Sequence, residues 1–374
     1  MKITNVRVSQ LEGGERSGMA LYETTRQGMA PGMVTPYRQI FTEIETDEGL
    51  VGLANGGSAD VKAVGQLLVG EDPRRFEFLW DKLFHSHYHR QRPGTVAVLD
   101  LALWDLLGKI QGEPVYRLLG GHTRERVRAY AGLLGFSTEP ARAAERSVEF
   151  VEKGFTALKW YLASNARDGA EGLRHNVGLI KAVREAVGPD VEIMVDCLLA
   201  NPRPNSLLYA IELARRLEEY RPTWLEEPLE FDDLDAHVRL AQATRIPLAF
   251  GEHFFTRWQI HQILESHAAS VLQPDPNAAG GITEMRKILA LASTYGVPVV
   301  PHGNESCRNA LHLLFAAPER ICPLAEWGVK INHNVQYFYQ DFYEPKNGYF
   351  ELPPGPGFGY ALDPAKTRSR VEVG

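Results

Sequence analysis

Cysteine is scarce in this sequence: Cys197, Cys307 and Cys322 are the only three among 374 residues. Three thiols at irregular spacing exclude both a disulfide framework and a zinc site of the usual spacings. Long apolar runs are missing too, and none approaches the roughly 18 residues that span a bilayer. The opening residues, MKITNVRVSQ, alternate apolar with polar and contain no apolar core of a leader. They read as a first strand and not as a signal peptide. Basic charge is in short supply, with 40 Lys+Arg against 47 Asp+Glu and a net charge of −7. Neutralising phosphates requires a basic surface, so a nucleic-acid binder is disfavoured. Neither GxGxxG nor GxxxxGK[ST] occurs, which removes the common nucleotide-binding turns. The expectation is a cytoplasmic α/β protein with no nucleic-acid or membrane partner.

What is present is a globular composition, 44% hydrophobic and 23% charged, long enough for one large domain or two. Residues 2–10 and 38–46 alternate like strands, and Asp47-Glu48-Gly49 separates the second from the run LVGLA. That is a hairpin pattern with glycine at the turn. Helical stretches are predicted near 61–83 and over 95–111, where Val98, Leu101, Ala102, Leu106 and Ile110 recur at helical spacing before Gly112 and Pro114. The Gly- and Met-rich stretch 12–36 has no period and reads as an irregular lid or binding loop.

From residue 127 the rhythm changes. Eight short β-branched runs, from VRAYA to ICPLAE, alternate with segments long enough for helices, among them 138–153, 171–187, 205–219 and 280–295. Strands joined through helices imply a parallel sheet. Lys159, Asp196, Glu226, Glu252, Asp275, His302 and Glu326 end the second to eighth runs, at steps of 37, 30, 26, 23, 27 and 24 residues. A (β/α)₈ barrel uses about 31 residues per unit. The fold expected is therefore an α/β chain with a (β/α)₈-type, modified TIM barrel behind an N-terminal α+β unit.

In such a barrel the C-terminal strand ends converge on one mouth. Three consecutive strands there end in Asp196, Glu226 and Glu252. Carboxylates about 4 Å apart repel by about 4 kcal/mol per pair at an effective dielectric of 20, so the set calls for a cation. An all-oxygen set favours Mg²⁺, or Mn²⁺, over zinc. Asp275 and His302 end neighbouring strands, close enough for the carboxylate to fix the imidazole tautomer as in an acid/base dyad. Lys159, if it points inward, suits a substrate carboxylate or a developing enolate.

These residues sit within motifs that resemble the mandelate-racemase subgroup of the enolase superfamily over essentially the whole chain. The motifs are ALWDLLGK and GEPVYRLLGG (102–121), LKW (158–160), VD (195–196), WLEEP (224–228), GE (251–252), QPDPN and GGIT (273–283), PHG (301–303) and AEW (325–327). The resemblance implies Asp196, Glu226 and Glu252 as Mg²⁺ ligands, with Glu227 their neighbour. It implies the Asp275–His302 dyad as general acid/base and Glu326 as a hydrogen-bonding partner of the substrate carboxylate. It further implies a capping domain whose loops, around 12–36 and 53–60, close over the mouth, and a homo-oligomer of two to eight copies. The layout expected is a cap over 1–125, a barrel over 126–345 and a C-terminal segment, 346–374, packed back on the cap.

One departure narrows the chemistry. Racemases of the subgroup carry Lys-X-Lys on the second strand, whereas this chain has Lys159-Trp160-Tyr161. A phenol with an unperturbed pKa of about 10 is a poor second base. Within the subgroup the chain is most similar to acid-sugar dehydratases of the rhamnonate dehydratase kind, through its single lysine, RDGAEGLRHN (167–176), and GEH with Arg257 four residues on. The activity implied is Mg²⁺-dependent dehydration of a sugar acid, L-rhamnonate or a relative, to a 2-keto-3-deoxy acid. A racemase, epimerase or cycloisomerase on the same site is the alternative; a metal hydrolase or a non-enzymatic metal-binding barrel fits the residues less well. Tyr161, His253, Arg257, Arg38 and the His85/His87/His89 cluster are candidate substrate contacts.

Overall fold

The computed structural model describes residues 1–17, 34–86, 93–197, 205–303 and 307–373. Its N-terminal unit is an antiparallel sheet of β1 (Ile3–Ser17), β2 (Val34–Thr46) and β3 (Val51–Asn55). Alternation buries Val6 and Val8 on one face of β1, with Ile44 of β2 opposite Val6, while Leu11 is buried on the other face, where Phe41 of β2 lies opposite Ser9. The β2–β3 turn closes at Gly49, whose φ of 81° suits a residue without a Cβ.

The first of the two segments expected to close over the mouth is partly regular. Residues 12–17 and 34–36 are not irregular: they extend the β1–β2 ladder, with Glu12 opposite Arg38 and Arg16 opposite Thr35. Residues 18–33 lie outside the described residues. Positions 53–60 hold the end of β3, a link of Gly56, Gly57 and Ser58, and the start of α1 (Ala59–Gly65). Ser58 Oγ caps that helix by accepting from Val61 N at 3.3 Å.

Two longer helices, α2 (Phe76–Ser86) and α3 (Pro93–Gln111), follow. Almost every residue of α3 between Thr95 and Gly108 is buried, as befits a helix apolar on all sides. One side of it receives β3, so closely that a Cβ on Gly52 would lie 2.1 Å from Ala102 O. A short helix α4 (Val115–Leu118) leads to the barrel.

The barrel runs β4 (Arg126–Gly132), α5 (Pro140–Glu152), β5 (Ala157–Tyr161), α6 (Gly169–Val187), β6 (Glu192–Asp196), α7 (Leu207–Leu217), β7 (Trp224–Glu226), α8 (Leu234–Ala243), β8 (Leu248–Phe250), α9 (Thr256–Ser266), β9 (Val271–Leu272), α10 (Gly281–Tyr295), α11 (Cys307–Ala316) and β10 (Ala325–Gly328). The strands β4 to β9 pair in parallel in sequence order, and β10 pairs with β4. Val299 and Val300 fill the remaining place: Val300 N donates to Leu272 O at 2.8 Å, and Val299 N donates to Ile321 O at 2.7 Å. Closure also shows inside. Tyr130, Ala157, Met194, Trp224, Ala249, Val300 and Leu324 form one buried cluster with Val271 against it, one residue from each of the eight strand positions. This layer is the floor of the mouth. Among the described residues no helix is long and apolar enough to cross a membrane.

After α12 (Val329–Val335) the chain adds β11 (Tyr349–Glu351) antiparallel to β4, so this stretch packs on the barrel. The N-terminal unit is met on both sides of this strand: Tyr337 stacks on Tyr37 before it, and after it Phe358 N donates to Asp105 Oδ1 at 2.9 Å and β12 (Ser369–Glu372) pairs with β1.

The two units join through a buried polar knot between α3 and the start of α10. Thr283 Oγ1 donates to Asp100 Oδ1 at 2.6 Å and accepts from Trp104 Nε1 at 2.9 Å, while Thr283 N donates to Asp100 Oδ2 at 2.9 Å. Thr283→Val keeps the shape but leaves two buried partners unpaired. It is expected to lower stability by about 3 kcal/mol, read as a lower urea midpoint with an unchanged m-value; an unchanged midpoint would show that the knot contributes nothing.

Candidate active site

Strand alternation builds the mouth from its floor. Moving two residues on from Ala157, Met194, Trp224, Val271, Val300 and Leu324 gives Lys159, Asp196, Glu226, Gln273, His302 and Glu326, all facing the same way one layer higher. Glu252 and Asp275 follow just beyond their strand ends.

Lys159 is the buried centre. Its Nζ lies 2.6 Å from Glu226 Oε1, 2.8 Å from Glu326 Oε1 and 3.4 Å from Asp196 Oδ2, at 1% exposure. Burial alone would lower its pKa, but the Glu226 and Glu326 carboxylates override this and hold it well above the ordinary lysine value. Glu226 Oε2 accepts from Trp224 Nε1 at 2.9 Å and Gln273 Nε2 at 2.8 Å. Glu326 Oε2 accepts from Gly303 N at 2.9 Å. Beneath the ammonium stands Tyr130, ring centroid 5.5 Å away, and beside it Tyr161 at 5.3 Å. Burial pushes both phenols well above their ordinary value, so Tyr161 is neutral.

Across the mouth, His302 Nδ1 donates to Asp275 Oδ2 at 2.7 Å. Since a carboxylate only accepts, the proton sits on Nδ1 and leaves Nε2 as the working nitrogen. That Nε2 is 2.9 Å from Glu252 Oε2 and 3.9 Å from Glu326 Oε2. Burial opposes the charged ring, yet Glu252 and Glu326 raise its pKa well above the ordinary histidine value. Glu252 responds in the opposite sense: burial is outweighed by His302, and its carboxyl falls to about 2.

Negative charge at the mouth exceeds what these cations balance. Burial and then Glu226 push Asp196 well above the usual carboxylate range. Glu227 is pushed the same way by burial, Glu252, Asp196 and Glu226. A left-handed φ of 42° takes Glu227 out of strand alternation, and both of its carboxylate oxygens are buried without a hydrogen bond. Glu227, Glu252 and His253 bring one ligand atom each within 4.8 Å of one another. Orphaned carboxylate oxygens and raised carboxyl pKa values are what a hard divalent cation would relieve, so the donor set fits Mg²⁺.

The other candidates are distributed unevenly. His253, half-buried, lies 3.3 Å from Glu252 Oε1 and 3.5 Å from Glu227 Oε2, with Phe231 against its ring, so it belongs to the mouth. Arg257 does not join the carboxylate group: its backbone N and its guanidinium bind Glu284, and it stacks over Trp258. Arg38 is exposed on β2 and paired with Glu12 at 2.7 Å. His85 is exposed and pairs with Asp81 at 3.2 Å, while His87 and His89 lie outside the described residues. Sequence reasoning missed Trp224 and Gln273 as donors to Glu226. The period-two position of Trp224 before Glu226 was the available signal.

Comparison with known proteins places this geometry. Residues 21–120 match the mandelate racemase / muconate lactonizing enzyme N-terminal domain, and residues 141–366 match the enolase C-terminal domain-like family. The chain belongs to the enolase superfamily, in the mandelate racemase branch, whose members generally use Mg²⁺. It is 33% identical to arabinonate dehydratase of Saccharolobus solfataricus, over 87% of this chain and 89% of that protein. It is 31% identical to D-galactonate dehydratase of Cronobacter sakazakii, over 90% and 92%. Among solved structures it resembles the 3,6-anhydro-D-galactonate cycloisomerase from Zobellia galactanivorans, with a TM-score of 0.80 and 27% identity over 97% of each chain.

The raised carboxyl of Glu227 carries a pH signature. Its contribution to stability is complete below the unfolded value of about 4.3 and is lost as pH rises through the higher folded value. In EDTA-treated protein, Glu227→Gln is therefore expected to raise the melting temperature near pH 8 and leave it close to wild type near pH 4.5. Equal melting temperatures at both pH values would show that Glu227 carries no buried charge.

Proposed function

We propose that this chain dehydrates a sugar acid to a 2-keto-3-deoxy acid, with L-rhamnonate or a related aldonate as substrate. The observation that carries the reading is the 2.7 Å Asp275–His302 pair facing Lys159 and the carboxylate group across one barrel mouth. The dehydratase names of the two curated relatives support the substrate class. Asp196, Glu226 and Glu252 are the proposed holders of Mg²⁺, or of Mn²⁺, which when bound supplies positive charge beside the substrate carboxylate.

The chain's own groups then divide the work. Lys159 gives a fixed positive charge toward the substrate carboxylate, where negative charge grows as the α-proton leaves. Glu326, anchored by Gly303 N, is the proposed hydrogen-bonding partner of that carboxylate. His302 gives up its Nε2 contact with Glu252 together with the Nε2 proton that this contact stabilises, and the neutral ring takes the C2 proton on Nε2, while Asp275 keeps Nδ1 protonated and the ring oriented. The C2 electron pair forms a C2–C3 double bond as the C3–O bond breaks; the hydroxyl leaves as water with the proton that His302 Nε2 took from C2, and the enol tautomerises to the 2-keto acid. His253, at the half-exposed rim, is placed to meet the sugar hydroxyls. Arg257 and Arg38 would have to give up Glu284 and Glu12 to take that role. The protein is proposed to work in the cytoplasm as a homo-oligomer.

Racemisation, epimerisation or cycloisomerisation is the second reading, favoured by the likeness to a cycloisomerase structure. A two-base version needs a proton acceptor opposite His302, where the neutral Tyr161 stands.

A panel of sugar acids with Mg²⁺, assayed for 2-keto-3-deoxy products, tests the main reading. One C2 configuration is expected to react, and substrate recovered from D₂O is expected to carry deuterium at C2 without inversion. His302→Asn is expected to abolish both exchange and dehydration. Exchange with inversion, or exchange surviving in His302→Asn, would identify an isomerase instead. For the metal, Glu226→Gln is expected to weaken Mg²⁺ binding in calorimetry and remove activity while the fold persists. Full turnover by EDTA-stripped protein would end the metal assignment.

A further inference from the structure

The carboxylate that orients His302 is itself held from behind. Asp275 Oδ1, the oxygen that does not meet the imidazole, accepts from Asn277 N at 2.7 Å and from Asn277 Nδ2 at 2.9 Å. Asn277 Oδ1 accepts from Asn309 Nδ2 at 3.2 Å, and Asn309 Oδ1 accepts from the Tyr360 hydroxyl at 2.8 Å. These residues come from three places: the loop after β9, helix α11 and the C-terminal segment. Asn309 is fully buried and Tyr360 nearly so. Tyr360 is fixed in turn by stacking on Tyr339 at 4.7 Å, one residue after Gly359, whose carbonyl takes Arg308 Nη1 at 2.6 Å.

The direction of this chain is dictated by one charge. An ionised Asp275 can only accept, so Asn277 must turn its NH₂ toward it and its carbonyl away. That carbonyl can be met only by the NH₂ of Asn309, whose own oxygen then needs a donor, and Tyr360 supplies it. Every dipole points its positive end toward Asp275. An Asx turn at Asp275 would need only the Asn277 backbone N–H; the side chains of Asn277, Asn309 and Tyr360 add nothing to such a turn. Their common effect is to occupy Oδ1 and leave Oδ2 alone for the Nδ1 proton of His302.

We propose that Asn277, Asn309 and Tyr360 are positioning residues, a relay of aligned hydrogen bonds that fixes Asp275 and through it the orientation and tautomer of His302. Its catalytic consequence rests on His302 being the base of the reaction proposed above; its structural consequence does not. Asn277→Ala removes the side-chain link to Oδ1 and leaves the backbone N–H in place, and Tyr360→Phe removes the far hydroxyl while keeping the ring stack.

The test uses the full chain and two readouts. In proton NMR the Nδ1 proton of His302, held in a short bond to a carboxylate, gives a far-downfield signal, identified by its loss in His302→Asn. Asn277→Ala is expected to shift or broaden that signal and to lower kcat by about tenfold with KM within about twofold of wild type. Tyr360→Phe is expected to move both in the same direction by less. In an Asp275→Ala background, Asn277→Ala is expected to cost nothing more. A resonance and a kcat that stay at wild type in Asn277→Ala would overturn the relay, as would an undiminished loss in the Asp275→Ala background. If the wild-type chain turned over no sugar acid, the functional reading would fall, and the resonance would still decide the relay.

Discussion

The mouth depends on one buried ammonium. Lys159 is buried, and its charge is balanced by Glu226, Glu326 and Asp196. At a spacing of about 4 Å and an effective dielectric of 20, each such contact is worth about 4 kcal/mol before desolvation is counted. Lys159 and His302 together keep Glu326 ionised at a depth where burial would otherwise favour its protonated form. On the opposite side His302 does for Glu252 what Lys159 does for its neighbours. Two cations therefore hold an acidic mouth together, and Asp196 and Glu227 carry the charge left over.

That balance rests on the buried layer below it. Tyr130 and Trp224 meet edge to face at 5.9 Å and close the floor, so the charged layer stands on apolar packing. The cap reaches the same platform through Asp100, Thr283 and Trp104, which tie α3 to the first turn of α10. That helix follows directly on the loop carrying Asp275, so the joint and the dyad share one short stretch of chain.

Much of this was legible in the sequence because barrel geometry converts spacing into convergence. Polar residues recurring at barrel-sized steps had to face one mouth, and that logic found Lys159, Asp196, Glu226, Glu252, Asp275, His302 and Glu326. The eight strand positions followed from β-branched runs and the hairpin from Gly49. What escaped depends on single backbone angles or on partners distant in sequence. The inward turn of Glu227 is set by its φ and has no sequence period. Arg257 carries the same charge whether it faces a substrate or Glu284, so its capture by Glu284 left no mark. The ladder formed by residues 12–17 and 34–36 was hidden because its bulges near Glu12 to Glu15 break the alternation that identifies strands.

The pairing of β12 with β1 sets an order in time. Ser9 to Glu12 lie opposite Ser369 to Glu372, so β1 takes this neighbour from a strand far along the sequence, beyond the whole barrel. While the barrel is being made, that edge of β1 presents unpaired N–H and C=O groups, the kind of surface that recruits foreign strands. A contact of such long sequence separation forms late. Until that pairing forms the cap keeps an open seam, and β12 is the stitch that closes it.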